Sequence, residues 1–204
     1  MMKGPLFIKF LFLILFSLTI QNCSSFGEVV IFRDSFKKAH IVNLKLSLES
    51  HEIQPDSWSL YKVILDFTRE IGIEKTVPTI VRFNVYGSRL DNSLERTGFI
   101  RIGNKNENLI FGNLTSQAIT TTSYRAGGVD SAGKQVAGGA STKVNREFTG
   151  TFLLTLEQEK EILSSKNLVI RFYAGAWPVT VSFQEDDLET LKYYLRAKPG
   201  MEQD

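Results

Sequence analysis

The chain has 204 residues, with 24 lysines and arginines against 22 aspartates and glutamates and a formal net charge of +2. Lys3 and Lys9 lie before Cys23 and every acidic residue lies after it, so the excess of positive charge belongs to the N-terminal segment. The rest lacks the basic surplus of a nucleic-acid-binding domain. A single cysteine leaves no internal disulfide framework. A body of about 180 residues is one domain's length and can bury enough surface to hold itself together, and 15 phenylalanines supply bulky core material.

Residues 1–22 begin Met1-Met2-Lys3, carry Lys9, run apolar from Phe10 to Ile20, and end Gln21-Asn22 before Cys23-Ser24-Ser25. A basic start, a short apolar stretch and a cleavage zone make up a secretory signal. The run is well short of the roughly 20 residues needed to span a bilayer. The chain's only cysteine stands at the end of that zone. This N-terminus resembles bacterial lipoprotein precursors, and the bulky Gln21 and Asn22 are similar to spirochaete lipoboxes, which tolerate larger residues. The resemblance implies removal of residues 1–22, diacylglycerol on the Cys23 thiol and an acyl group on the new amine. One acyl chain holds a protein only reversibly, whereas several make attachment durable. Ser24 after the cysteine is compatible with release to the outer membrane. Residues 23–28 would be a lipidated tether, 29–198 a single β-rich domain close to the bilayer, and 199–204 a tail.

Within the domain, His40, Val42, Leu44, Leu46 and Leu48 alternate with Ile41, Asn43, Lys45, Ser47 and Glu49. That period of two predicts a strand with one wet face. Trp58 to Phe67 repeats the pattern with Tyr61, Val63, Leu65 and Phe67 on one side, and Thr79 to Tyr86 is β-branched and aromatic up to Gly87-Ser88. Further strands are predicted at 97–102, 108–111, 114–122, 146–155, 168–174 and 178–184. Ile80-Val81-Arg82-Phe83 is echoed by Val169-Ile170-Arg171-Phe172, as two related sheet edges or chance would produce. Thr155 and Gln158 match a capping box that opens a helix running to Ser164. A second helix is predicted after Asp186 or Asp187, with Leu188, Leu191 and Leu195 on one face, ending at Pro199-Gly200. The expected fold is a single mainly β domain, a sandwich or barrel-like structure, with two short C-terminal helices. From Phe148 to Leu195 the element order is similar to the C-terminal part of invasion-associated locus B proteins, an exported, mostly β family. That similarity is one of order alone, and no function is carried over from it.

No segment declares a chemistry. Ala126 to Ser141 is rich in glycine, alanine and serine and reads as a long mobile loop. Binding function concentrates on such loops, so Arg125, Asp130, Lys134 and Lys143 are the candidate partner-binding residues. Gly128 to Gln135 approaches a phosphate-binding loop, but Gln135 stands where a magnesium-binding Ser or Thr belongs and no helix follows; no nucleotide is expected. His40 and His51, the only histidines, lack zinc spacing, and no Gly-x-Ser-x-Gly elbow marks a hydrolase. Glu185, Asp186 and Asp187 lack the alternate spacing of a calcium loop and suit a helix N-terminus. Trp58 and Trp177 suit core or strand-edge positions. The sequence thus points to a non-catalytic, lipid-anchored envelope lipoprotein without cofactor or metal. It would bind a protein partner or host ligand, or serve as a periplasmic assembly or carrier protein; a hydrolase is the remaining alternative.

Overall fold

The computed structural model describes residues 26–54, 59–72, 77–88, 93–129, 131, 133–175 and 177–200. Cys23, Trp58 and Asp130, together with the expected signal, half of the tether and most of the tail, lie outside the described residues. The strands are β1 (Val29–Asp34), β2 (Ala39–Ile53), β3 (Leu60–Ile71), β4 (Thr79–Ser88), β5 (Thr97–Ile102), β6 (Lys105–Ile110), β7 (Gly112–Arg125), β8 (Gly128–Val129), β9 (Gln135–Val136), β10 (Gly139–Leu154), β11 (Leu168–Ala174) and β12 (Trp177–Ser182). The helices are α1 (Leu156–Ser164) and α2 (Glu185–Arg196). Ten strands form one antiparallel sheet in the order β6-β5-β11-β12-β2-β3-β4-β10-β7, with β1 also on β2; β8 and β9 pair separately. The sheet curls into a half-barrel.

Strand β2 explains the curl. Its first half pairs with β1, its later residue Ser50 pairs with Val181 of β12, and β3 runs along its other edge. The β2–β3 register breaks between Glu49 and Ile53, and such an irregularity bends a strand and increases its twist. The sheet therefore folds into two wings whose inner faces meet. One wing contributes Leu44, Leu46, Val63, Leu65, Phe67, Phe83 and Phe148, and the other Ile100, Ile170, Phe172, Val179 and Val181, all buried. Phe111 carries the chain from β6, one end of the sheet, to β7, the other. Phe83, Phe111, Phe152 and Phe172 fill the interior, with ring centroids 4.9–6.2 Å apart. Gly150 makes this possible: a Cβ there would lie 2.5 Å from Phe83 Cζ and 2.6 Å from Leu114 Cδ2.

The helices close one end. Thr155 caps α1 as the sequence indicates, its Oγ1 accepting from Gln158 N (3.2 Å) while Gln158 Oε1 accepts from Thr155 N (3.0 Å). Helix α2 begins at Glu185, two or three residues earlier than predicted, because Glu185, Asp186 and Asp187 occupy its first turn. Carboxylates there oppose the positive end of the helix dipole. Leu188, Leu191 and Leu195 face the core as expected. Two buried charges tie the helices to the sheet. Arg69 of β3 donates to three carbonyls at the end of α2: Leu195 (2.8 Å), Tyr194 (2.9 Å) and Ala197 (3.1 Å). Glu159 of α1 lies 3.7 Å from Arg69 Nη1 and accepts from Thr79 N at 2.9 Å. A buried guanidinium and carboxylate are tolerable only when satisfied in this way.

Candidate functional site: a basic two-stranded arm

The segment read as a long loop is largely a hairpin. Strand β10 pairs with both β4 and β7 up to Asn145, which faces Ser88. Past that point β4 has ended, and β7 and β10 continue as a two-stranded ribbon from Val144↔Thr120 to Gly139↔Arg125. At about 3.4 Å per residue this arm extends roughly 20 Å beyond the body. The expected loop 126–141 is thus corrected: its last residues belong to β10, and Gly128–Val129 pairs with Gln135–Val136 near the tip. The physical reason is the run Thr120-Thr121-Thr122 opposite Val144, Lys143 and Thr142. β-Branched residues favour extended backbone, and cross-strand threonines add side-chain contacts, as between Thr122 and Thr142 Oγ1 at 3.4 Å. Glycine dominates only near the tip. Gly138 sits where a Cβ would meet Gly127 N at 2.8 Å and Arg125 O at 2.9 Å, so the close backbone approach between arm and tip requires glycine.

The arm buries almost nothing. From Thr120 to Arg125 and from Gly139 to Val144 every residue is exposed, with Tyr124 at 83%. The pleat divides it into two faces. Ala118, Thr120, Thr122, Tyr124, Ala140, Thr142 and Val144 continue the inner face that holds Phe148 and Phe152 in the body. Ile119, Thr121, Ser123, Arg125, Ser141 and Lys143 continue the outer face. Arg125 and Lys143 therefore share one face of the arm, while Lys134 lies at the tip beside β9. Neither Arg125 nor Lys143 forms an ion pair among the described residues. At the arm's base, Asn84 Nδ2 donates to Glu147 Oε1 (2.9 Å) and to the Tyr86 hydroxyl (3.0 Å). Partial burial pushes the Tyr86 phenol above its ordinary range, against the opposing effect of the Asn84 bond. The arm is thus an exposed, cationic, hydroxyl-rich ribbon on a rigid root. It suits contact with an acidic or hydrogen-bonding surface.

A second basic surface lies on the outer face of the other wing. Phe99, Arg101, Asn106, Val169, Arg171 and Tyr173 line an open cleft of about 310 Å³. Phe99 and Tyr173 meet edge to face at 6.0 Å, and Arg171 Nε donates to Thr180 Oγ1 at 2.9 Å. No sequence motif singles out these residues; they converge through the non-local β5–β11 pairing.

His40 and His51 stand far apart on β2, about 37 Å along the strand at 3.4 Å per residue, so they cannot share a metal ion. Among the described residues no three His, Cys, Asp or Glu side chains gather as a metal site. The near-P-loop stretch leads into β-structure instead of a helix. The four packed phenylalanines fill the space between the wings. Among the described residues no helix is long and apolar enough to cross a membrane. No protein-family model, curated protein or solved structure matches the chain.

Proposed function

We propose that this chain is an exported envelope lipoprotein, anchored by lipid on Cys23, that acts as a non-catalytic binding or structural module through the β7–β10 arm. The observation that carries this reading is the arm. Ordering two extended strands in water costs conformational entropy, and the arm's residues recover little of it through burial. An element held in this form without serving the core is suited to contact outside the molecule. The N-terminal pattern of residues 1–25 supports an envelope location, at the outer membrane on either its surface or its periplasmic face.

The test is a photo-crosslinking amino acid at Ser123 in the full chain, in living cells, with Phe36 as control. Phe36 is 98% exposed and sits in the β1–β2 turn, away from the arm. Defined adducts to protein or lipid from Ser123 and none from Phe36 support the reading. Equal labelling from both, or none from Ser123, contradicts it.

A further inference from the structure

The point where the chain leaves the domain restricts how the arm can sit relative to a membrane. Gly27 N donates to Lys45 O at 2.8 Å, and the Phe26 ring lies 5.2 Å from Lys45 Nζ and 5.7 Å from Lys62 Nζ. Both lysines are on the outer face, since the alternate residues Leu44, Leu46, Tyr61 and Val63 are buried inside. Cys23 is three residues before Phe26, within roughly 10 Å at full extension. Level with this point, across the sheet, lies Thr149, by way of Ser47↔Ile64, Ile64↔Asn84 and Asn84↔Thr149. From Thr149 to Leu154, where α1 begins, is roughly 17 Å, while α2 runs back beside the exit, its Glu189, Thr190 and Tyr193 next to Phe26 to Val29. In the other direction the arm's base at Asn145 is roughly 14 Å away and Gly139 about 20 Å further. A bilayer reached by lipid on Cys23 therefore lies neither past the far end of the helices nor past the arm's tip, but beside the strands. Two sides adjoin the exit: α2, where Glu189, Thr190 and Tyr193 flank Phe26 to Val29, and the sheet's outer face, where Lys45 and Lys62 flank Phe26. An anionic bilayer favours the outer face with its two lysines over the side that carries Glu28 and Glu189.

Charge selects what the arm meets there. On the outer face of the wing that carries the arm, each basic residue of β2, β3 and β4 has an acid across the sheet: Lys45 and Arg82 both lie opposite Asp66, and Lys62 lies opposite Glu49. On the arm, Arg125 and Lys143 occupy the same outer face opposite Gly139 and Thr121, with no acidic residue across from them. Basic side chains held against an anionic leaflet bind it electrostatically, and such a patch complements a lipid anchor. We propose that the outer face of the arm docks on anionic lipid headgroups of the same bilayer that holds the Cys23 lipid. This inference rests on the anchor reading and names the arm's partner as the membrane surface rather than a protein.

The experiment uses the full chain made in a lipoprotein-processing host and recovered from membranes. It is reconstituted on vesicles of phosphatidylcholine alone, or with about one-third phosphatidylglycerol. With Cys23 acylated, Ser141→Cys or Phe36→Cys supplies the one free thiol for an environment-sensitive dye, read against spin-labelled lipid. The inference expects the Ser141 dye to be quenched roughly twofold more than the Phe36 dye on anionic vesicles. The difference should vanish in about 1 M salt, where charges are screened beyond ~3 Å, and in the R125Q/K143Q double variant. Protein that floats with the vesicles but shows no difference between the two dyes overturns the inference and leaves the anchor standing. Protein that floats with neither vesicle overturns the anchor reading and this inference with it.

Discussion

Phe83 of β4 and Phe172 of β11 meet across the interior with ring centroids 4.9 Å apart. Each ends one of the two echoing segments, Ile80-Val81-Arg82-Phe83 and Val169-Ile170-Arg171-Phe172. The matching tetrapeptides thus lie on opposite wings, in the middle of each wing and not at an edge, and close the core against each other. Phe83 also touches Phe111 and Phe152. Its truncation to alanine leaves a cavity that a packed sheet cannot close, and Phe83→Ala is expected to cost about 3–5 kcal/mol. Phe99→Ala, on the outer face, should cost less than about 1 kcal/mol. Urea unfolding of the two variants checks the contrast; equal losses would mean that the wings do not depend on this contact.

Arg69 governs the seat of α2. Arg69→Met removes all three bonds to the helix-end carbonyls and leaves Glu159 buried beside no cation. Breaking a buried pair in this way is expected to cost about 3–5 kcal/mol. Adding Glu159→Gln should recover part of the loss, because the uncompensated charge is gone while an oxygen remains for Thr79 N. A double variant no more stable than Arg69→Met would show that the carbonyl bonds alone matter.

Tyr194 should make the fold sensitive to alkali. Burial pushes its phenol well above the ordinary value, and the nearby Thr79 and the Arg69 charge oppose this without cancelling it. Burial raises Tyr61 as well. The folded state therefore keeps these protons after an unfolded chain has lost them. Their contribution is complete below about pH 10 and declines as pH rises beyond it, by up to about 1.4 kcal/mol per unit for each group. Tyr194→Phe should flatten this decline. Stability measured from pH 9 to 11.5 with the same slope in both proteins would contradict the assignment.

The arm should be dispensable for folding. Ile119 and Asn145 are direct partners, so residues 120–144 can be replaced by Asn-Gly, a two-residue turn that suits an antiparallel pair. The shortened protein should melt within about 4 °C of the parent, since every residue lost whose burial is described is exposed. Arm-dependent crosslinks and lipid contacts should disappear. A large drop in melting temperature would show that the arm supports the core.

Local signals in the sequence carried much of this fold. The Thr155–Gln158 capping box marked α1 to the residue, and alternation marked the inner faces of β2 and β3, because both signals depend only on near neighbours. Strand β1 left no such trace: Val29-Val30-Ile31-Phe32 is a continuous apolar run with Val30 and Phe32 exposed, so alternation fails there. Strand β6 begins Lys-Asn-Glu-Asn because it lies at an end of the sheet, where polar side chains stay in water. The arm was hidden by composition. Gly, Ala and Ser suggest a loop, and the pairing that makes a ribbon joins residues such as Thr120 and Val144, far apart in the chain. The candidate residues Arg125, Lys134 and Lys143 were legible from charge alone. The face shared by Arg125 and Lys143, and the cleft at Arg101 and Arg171, required the register.

The central claim is the lipid anchor, and mass spectrometry of the protein from its own cell membranes tests it most directly. The account predicts a chain that begins at Cys23 and carries diacylglycerol on the thiol and an acyl group on the amine. Trypsin should then release a lipid-bearing peptide from Cys23 to Arg33. A tryptic peptide running unmodified from Phe10 through Cys23 to Arg33, with a free thiol, would contradict it.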